Sequence, residues 1–399
     1  LYITRNGLLE PLGQSQVLAY LKGLSGRYRI TVISFEKAED VADEQTVRAV
    51  AADCANCGIR WLPQRFRHRP RLLAAAWNLF TMLRLCLREI RGGNADLVHA
   101  RSYIPAAAAL FAKRLTGTPF IFDMRALWPE ELVAAGRVRR GSWLFRLLLR
   151  IERRCLQGAD YVVSLTHAAV VHLREIYPDI RWNSKVAVIP TCADLERFVP
   201  DAPSPSAEHI YGCVGSVLSG WFRLDWLGSF FEAALARDGL ALFHIITRDD
   251  PSLVRGALAA SEAVEQRLTI YAMSPREVHR AVQRHYVSIM FFNDGLGKLG
   301  SSPTRMGEVL GCGIPVVANA GVGDVEAIVA AHRIGVLVEG GNVRQMHQAV
   351  VELELLMQDP ELGKRCRTVA ENLFSLQSGI GGYAQIYDRI GMLSARRLR

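Results

Sequence analysis

The sequence predicts an α/β protein made of two parallel-sheet halves, and three observations lead there. Short runs rich in Val, Ile, Leu and Phe recur along the 399 residues, with helical patterns between them, the signature of right-handed βαβ units. The series is interrupted once, at Pro200–Ser206 (PDAPSPS), whose composition is that of a linker. Half of the residues are apolar, enough for a sizeable core on each side of that break. The expected domains are therefore 1–200 and 201–378, with a closing helical segment at 379–399 placed to pack back on the first.

In chain order the first half reads as strands at Leu1–Thr4, Ile30–Phe35, Ile59–Leu62, Leu97–Ala100, Phe120–Asp123, Tyr161–Leu165 and Val186–Pro190. Leu1 falls in mid-strand, so leading residues are expected to precede it. Gly13-Gln14-Ser15-Gln16 opens an amphipathic helix carrying Val17, Leu18, Tyr20, Leu21 and Leu24; a strand, a glycine and a polar helix start form the turn on which α/β proteins bind phosphates or sugars. Ligands of such sheets gather beyond the carboxyl ends of the strands. Three groups should meet there: the Gly13 loop, His99 to Tyr103, and Asp123-Met124-Arg125. Asp123 and Arg125 suit sugar hydroxyls and an acceptor phosphate respectively, Trp128 offers a flat face to a sugar ring, and Glu130 is an acceptor-side carboxylate. The plainer alternative is an Asp–Arg pair pinning a loop with the Trp in the core. Cys54-Ala-Asn-Cys57 ends an Ala-rich helix without a partner pair, and reads as helix-end packing rather than zinc or redox chemistry.

The second half repeats the alternation, with strands at Ile210–Val214, Leu242–Thr247, Leu268–Ala272, Val287–Phe292, Ile314–Ala318 and Gly335–Val338. Its most informative stretch is NDGLGKLGSSPTRMGEVLGCGIPVVAN, Asn293 to Asn319. Gly295, Gly297 and Gly300 permit backbone conformations that a Cβ resists. Ser302 is a good N-cap and Pro303 suits the first helical position. The amides of Thr304, Arg305 and Met306, with the helix dipole behind them, then face a ligand, and phosphate is the natural occupant. Lys298 and Arg305 add cations. Glu308, about one turn deeper, is suited to two sugar hydroxyls.

This stretch resembles the donor-binding segment of family 4 glycosyltransferases, S-P-T-K/R-x-x-E-x-L-x-C/A-G-x-P-V-V-A. GLLEPLGQSQVLAYLKGL near the start, FDMRALWPEEL around Asp123 and VIPTCADLERF before the linker resemble a bacterial branch of the same family. The resemblance implies the GT-B fold, two Rossmann-like domains facing each other across a cleft. It implies a retaining, metal-free transfer from a nucleotide diphosphate sugar, a co-substrate rather than a cofactor, with Glu308 on the ribose hydroxyls. It extends the donor-binding set to Gly13, Gly215, Ser216, Arg248, Gly300, Ser302 and Thr304, and the catalytic set to Arg223, Lys298, Arg305 and Glu308. Acceptor-binding residues would be His99, Arg101, Asp123, Arg125 and Glu130. The sequence departs from the family at three places. Gly300 stands where many members have a Glu, Gly215-Ser216 where they have Gly-Arg, and Arg101 where they have a second His. No Asp-x-Asp lies near the loop, so helix amides, Lys and Arg would neutralise the leaving diphosphate.

The net charge of +9 is uneven. Residues 1–200 hold 29 Lys and Arg against 18 Asp and Glu, giving +11, and residues 201–399 hold 19 against 21, giving −2. A polyanionic partner of the first half is expected, an anionic membrane surface or nucleic acid. RVRRGSWLFRLLLRIERR, Arg137 to Arg154, sets Arg146, Arg150, Arg153 and Arg154 on one helical face beside Trp143, Phe145 and Leu147. That pattern suits the interface of an anionic bilayer, although an ordinary solvated helix face would show it too. Arg65 to Arg91 is similar but looser. No run is long and apolar enough to span a bilayer, no signal peptide is visible, and the eight scattered cysteines favour a reducing compartment. The resulting expectation is a glycosyltransferase acting at the inner face of the cell membrane on a glycan or lipid-linked acceptor. A sugar-nucleotide epimerase on the same fold and a basic nucleic-acid binder are the alternatives; no aromatic-interleaved nucleic-acid motif supports the second.

Overall fold

The computed structural model describes residues 1–201, 209–274 and 276–397. It falls into two compact units, one of Leu1–Pro190 with Leu376–Arg399 and one of Thr191–Ser375. The division lies at Pro190/Thr191 rather than at 200/201, and the returning segment starts at Leu376 rather than at 379. The linker expected at Pro200–Ser206 lies for the most part outside the described residues.

The first unit carries β1 (Tyr2–Thr4), β2 (Thr31–Glu36), β3 (Arg60–Arg65), β4 (Val98–Arg101), β5 (Phe120–Asp123), β6 (Tyr161–Ser164) and β7 (Val186–Val188). They pair in parallel in the order β3-β2-β1-β4-β5-β6-β7. β1, β2, β4 and β5 are buried at every residue, as a sheet covered on both faces requires. The helix Leu376–Arg397 belongs to this unit. Tyr28 Oη donates to the Ala384 carbonyl at 3.0 Å and to Asp388 at 2.6 Å, and Arg27 pairs with Asp388 at 2.9 Å. A Cβ on Gly23 would collide with Ile380 of this helix, so a glycine is needed where the two helices cross. Cys54 is buried in the helix Glu44–Asn56, Cys57 caps it, and both thiols are free.

The second unit holds β8 (His209–Val214), β9 (Ala241–Ile246), β10 (Leu268–Tyr271), β11 (Val287–Met290), β12 (Val316–Asn319) and β13 (Gly335–Val338), parallel in the order β10-β9-β8-β11-β12-β13. Alternate residues feed two cores. Val317 packs with Phe230, Phe231 and Met346 on one face, while Val316 and Ala318 pack with Met306, Leu310 and Cys366 on the other. Both sheets thus have the doubly wound form, whose binding edge is the carboxyl end of the central strands.

His285 is an oddity within the second unit. It is 3% exposed, neither ring nitrogen has a partner, and its ring fills the space a Cβ on Gly212 of β8 would take. Burial, aided by His244 and Arg284, lowers its pKa from 6.5 to about 3. The folded state therefore binds the proton more weakly than the unfolded chain does. Stability is fully present above pH 6.5 and drains away as pH falls toward 3, at up to about 1.4 kcal/mol per pH unit. His285→Leu should remove this loss. The urea midpoints of wild type and variant, measured from pH 7 to pH 4, should diverge in the variant's favour only on the acid side.

Candidate functional site

In the second unit the expected site gathers at the carboxyl ends of β8 and β11. The chain leaves β8 through Gly215, whose φ of 103° is open to glycine and rarely to other residues. The guanidinium of Arg305 lies where a Cβ on Gly215 would stand. Arg305 Nη2 donates to the Ser216 carbonyl at 3.3 Å, and its buried Nη1 has no partner. Burial lowers the pKa of this arginine, against the pull of Cys213, Glu308 and Asp249; the group stays charged at any physiological pH. Asp249 fixes the loop: its carboxylate accepts from Ser216 Oγ at 3.1 Å, Val217 N at 2.6 Å and Leu218 N at 2.9 Å. Ser216 is thus spent on the loop itself.

The helix Thr304–Gly311 begins with Pro303 at the N-cap position and no side-chain cap. This corrects the expected cap. Ser302 Oγ accepts from the Thr191 amide at 3.2 Å, while Thr191 Oγ1 donates to the Ser302 carbonyl at 2.7 Å. The serine therefore ties the loop to the start of the unit and leaves the helix end without a hydroxyl. Of the three loop glycines, Gly295 alone has a positive φ, 106°. Gly300 is buried, and its φ is not in the positive region. Lys298 is also buried, its ammonium 3.9 Å from the centroid of the Trp221 ring. Glu308 is half-buried, and burial raises its pKa from 4.5 to about 7 despite Arg197 and Arg305 nearby. Arg197 belongs to the VIPTCADLERF stretch, but that resemblance assigned it no place beside Glu308.

Two expected donor-side residues do not join this group. Arg223 is engaged by Asp225, at 2.9 Å from Nε and 2.6 Å from Nη2, and lies over Trp226. Arg248 is exposed beyond β9.

In the first unit, β4 and β5 end side by side and deliver His99, Arg101, Asp123 and Arg125 to one place. Asp123 is fully buried, so it holds its neighbours rather than an incoming sugar. His99 Nε2 is 3.4 Å, Arg101 Nη1 3.6 Å and Arg125 Nη1 3.4 Å from its carboxylate oxygens. Arg125 first, then the hydrogen bond from His99 and the charge of Arg101, hold Asp123 well below the usual carboxylate range, against the opposing effect of burial. His99 Nδ1 meets Tyr387 Oη at 2.7 Å, and Tyr383 Oη lies 3.5 Å from Arg125, both from the returning helix. Glu130 is bound by Arg140 through both oxygens and braces the turn before the next helix.

Gly13 lies inside the short helix Pro11–Gly13, followed by a π turn at Gln14–Leu18. A Cβ there would strike the Gly7 carbonyl, so Gly13 shapes the loop after β1 from behind. Buried Glu36, which no motif marked, grips that loop by accepting from Leu8 N at 3.0 Å and Leu9 N at 3.1 Å. Among the described residues no cluster of three or more His, Cys, Asp or Glu is arranged to hold a metal ion.

Comparison with known proteins places this geometry. Residues 13–192 match the family model described as a glycosyl transferase 4-like domain. Among curated proteins none matches the chain in sequence. A glycosyltransferase from Rickettsia africae superposes with a TM-score of 0.70 at 16% identity, over 98% of this chain and 97% of the other. HepE of Anabaena, solved with UDP and glucose, gives 0.67 at 12% identity over 97% and 98%. WaaG, a glycosyltransferase of lipopolysaccharide biosynthesis, gives 0.64 at 12% over 94% and 97%. At these identities the structural likeness establishes the GT-B fold.

The raised pKa of Glu308 yields a prediction. Its folded-state pKa exceeds the unfolded value of 4.5, so it reduces stability as pH rises through about 7. Glu308→Gln should therefore match wild type near pH 4 and be more stable at pH 8, by about 1–3 kcal/mol after allowing for its partial exposure. Thermal melts at the two pH values check this; a less stable variant at pH 8 would mean that the carboxylate holds the fold together.

Proposed function

We propose that this chain, whose residues 13–192 match the glycosyl transferase 4-like domain, moves a hexosyl unit from a nucleoside diphosphate sugar to a glycan or lipid-linked saccharide. In this reading the second unit holds the donor and the first the acceptor. One observation carries it: half-buried Arg305 has a buried Nη1 without a hydrogen-bond partner, beside a helix N-terminus that no side chain caps. An unpaired buried cation is costly unless an anion completes it, and a diphosphate supplies the charge and several acceptor oxygens at once. Helix amides and Arg305 would then stabilise the charge that grows on the leaving nucleoside diphosphate. Glu308, one turn further in, would accept from two neighbouring ribose hydroxyls, and a bound donor would keep it ionised. Transfer would proceed with retention and without a metal, the donor phosphate taking the acceptor proton.

HepE binds UDP and glucose, which makes UDP-glucose the first donor to try. A bound nucleotide sugar should raise the thermal midpoint of the full chain. Glu308→Ala should weaken donor binding by about 1.5–3 kcal/mol, and Arg305→Ala should lower turnover about 10²–10³-fold. EDTA should leave turnover unchanged. Donor binding without transfer, accompanied by a changed sugar stereocentre in the recovered nucleotide sugar, would point to the epimerase instead. No midpoint shift with any nucleotide sugar would remove the donor site.

We further propose that the first unit works against an anionic bilayer, at the inner face of the cell membrane. The helix Trp143–Gly158 leaves Trp143 76% exposed, with Leu144 and Leu147 beside it. Arg146, Arg150, Arg153 and Arg154 of the same helix are exposed, Arg153 paired with Asp179 at 2.9 Å. The helix Arg71–Arg91 adds exposed Leu73, Trp77 and Phe80. Among the described residues no helix is long and apolar enough to cross a membrane. Aromatic burial and about 1 kcal/mol per Arg should together give reversible, salt-sensitive binding. Co-sedimentation with anionic vesicles and little with neutral ones is expected. Changing Arg146, Arg150, Arg153 and Arg154 to Ser should abolish it, and equal binding to both vesicle types would count against the proposal.

A further inference from the structure

The cluster at the ends of β4 and β5 does not balance in charge. Arg101 is 5% exposed and the Arg125 side chain 13%. Among the described residues the one carboxylate paired with either is Asp123. His99 cannot balance them, since an imidazole is at most positive, and burial lowers its pKa from 6.5. The tyrosines around Arg125 supply none either: burial pushes the Tyr2 phenol up to about 12 and that of Tyr383 well above 10. Two guanidiniums thus share one carboxylate in a space nearly closed to water. Their contacts to it, 3.4 and 3.6 Å, are longer than the 2.7–2.9 Å or so of a tight charge-assisted pair. A surplus buried charge is expensive, and a purely structural Asp–Arg lock would not need the second arginine.

The same place carries the start of the helix Tyr103–Thr116. Its N-cap, Ser102, has no side-chain cap bond and donates its amide to the Asp123 carbonyl at 2.8 Å. The positive end of the dipole therefore adds to the surplus rather than offsetting it. Arg125, the less buried of the two arginines, gives an approach from solvent.

We propose that Arg101, Arg125 and the amide end of Tyr103–Thr116 form an anion site of the first unit, built for a phosphate ester carried by the acceptor. The geometry of a guanidinium fork suits a phosphomonoester or diphosphate. That an anion binds stands on the charge count alone. That the anion belongs to the acceptor rests on the glycosyl-transfer reading, and makes the acceptor a sugar phosphate or a lipid-linked phosphate rather than a neutral glycan.

The test uses the full chain with Arg305→Gln, which silences the phosphate site proposed in the second unit. Calorimetric titration with inorganic pyrophosphate at low salt should give one site per chain. Adding Arg101→Gln or Arg125→Gln should weaken it at least tenfold. Asp123 stabilises the charge of Arg125, so the surplus is that of Arg101, and ligand-free Arg101→Gln should melt no lower than its parent. No pyrophosphate binding to folded Arg305→Gln would overturn the site, without recourse to a second variant. So would a lower melting point in Arg101→Gln with pyrophosphate affinity unchanged, the mark of a structural ion pair. Competition by a soluble hexose 1-phosphate, against competition by vesicles carrying a polyprenyl phosphate, separates the two sources. Because these are equilibrium measurements without donor, a chain that bound pyrophosphate here but transferred no sugar would refute the glycosyl-transfer reading and leave the site standing.

Discussion

A guanidinium as large as that of Arg305 occupies space that residue 215 can yield only as glycine. The organisation of the second unit's ligand edge follows from that exclusion. The missing side chain and the φ of 103° turn the chain out of β8. The turn brings Ser216, Val217 and Leu218 onto Asp249. The freed volume holds the Arg305 guanidinium, with one nitrogen on the Ser216 carbonyl and another unfilled. The helix bearing Arg305 then presents its uncapped end to the same volume. A cation, a helix terminus and a loop are thus set by one steric condition, and Glu308 gains its raised pKa from the burial this packing produces.

The first unit solves the corresponding problem with the same chemistry. The loop after β1 is held by Glu36, at the end of β2, and β2 lies beside β1. The loop after β8 is held by Asp249, beyond the end of β9, and β9 lies beside β8. In each unit a carboxylate from the neighbouring strand takes two successive loop amides. Gly7 and Gly13 provide the close approach in one, Gly215 in the other. A carboxylate that accepts two backbone amides fixes a loop without needing a conserved-looking motif within it. For that reason neither Glu36 nor Asp249 announced itself in the sequence.

What could be read in advance was whatever depends on near neighbours in the chain. Apart from β3, which runs three residues past its expected end, each strand from Tyr2–Thr4 to Gly335–Val338 lies within a residue or two of where apolar runs placed it, because a doubly covered parallel strand is a local pattern. The loop and helix around Arg305 were legible for the same reason. The misreadings concern partners far away in sequence. Ser302 looked like a cap until Thr191 claimed it. Glu130 looked free for a ligand until Arg140 took both oxygens. Arg223 has a near partner, yet its choice of Asp225 over an outward pose depended on Trp226 being placed beneath it. Asp123 was correctly brought to the strand end, but its full burial follows from Tyr383 and Tyr387, more than 250 residues later.

The return of Leu376–Arg397 to the first unit makes the second unit an insertion within the first. As the chain leaves the ribosome, the first sheet can be complete long before the helix that covers part of it exists. Tyr20 and His99, which pack on Tyr383 and Tyr387 of that helix, would meanwhile face solvent or a chaperone. The second unit, by contrast, is made in one uninterrupted stretch and can close on local contacts as it emerges. The order of completion thus reverses the order of synthesis: the unit that starts first finishes last. A chain stopped short of its last helix would present a folded second unit beside a first unit still missing part of its cover.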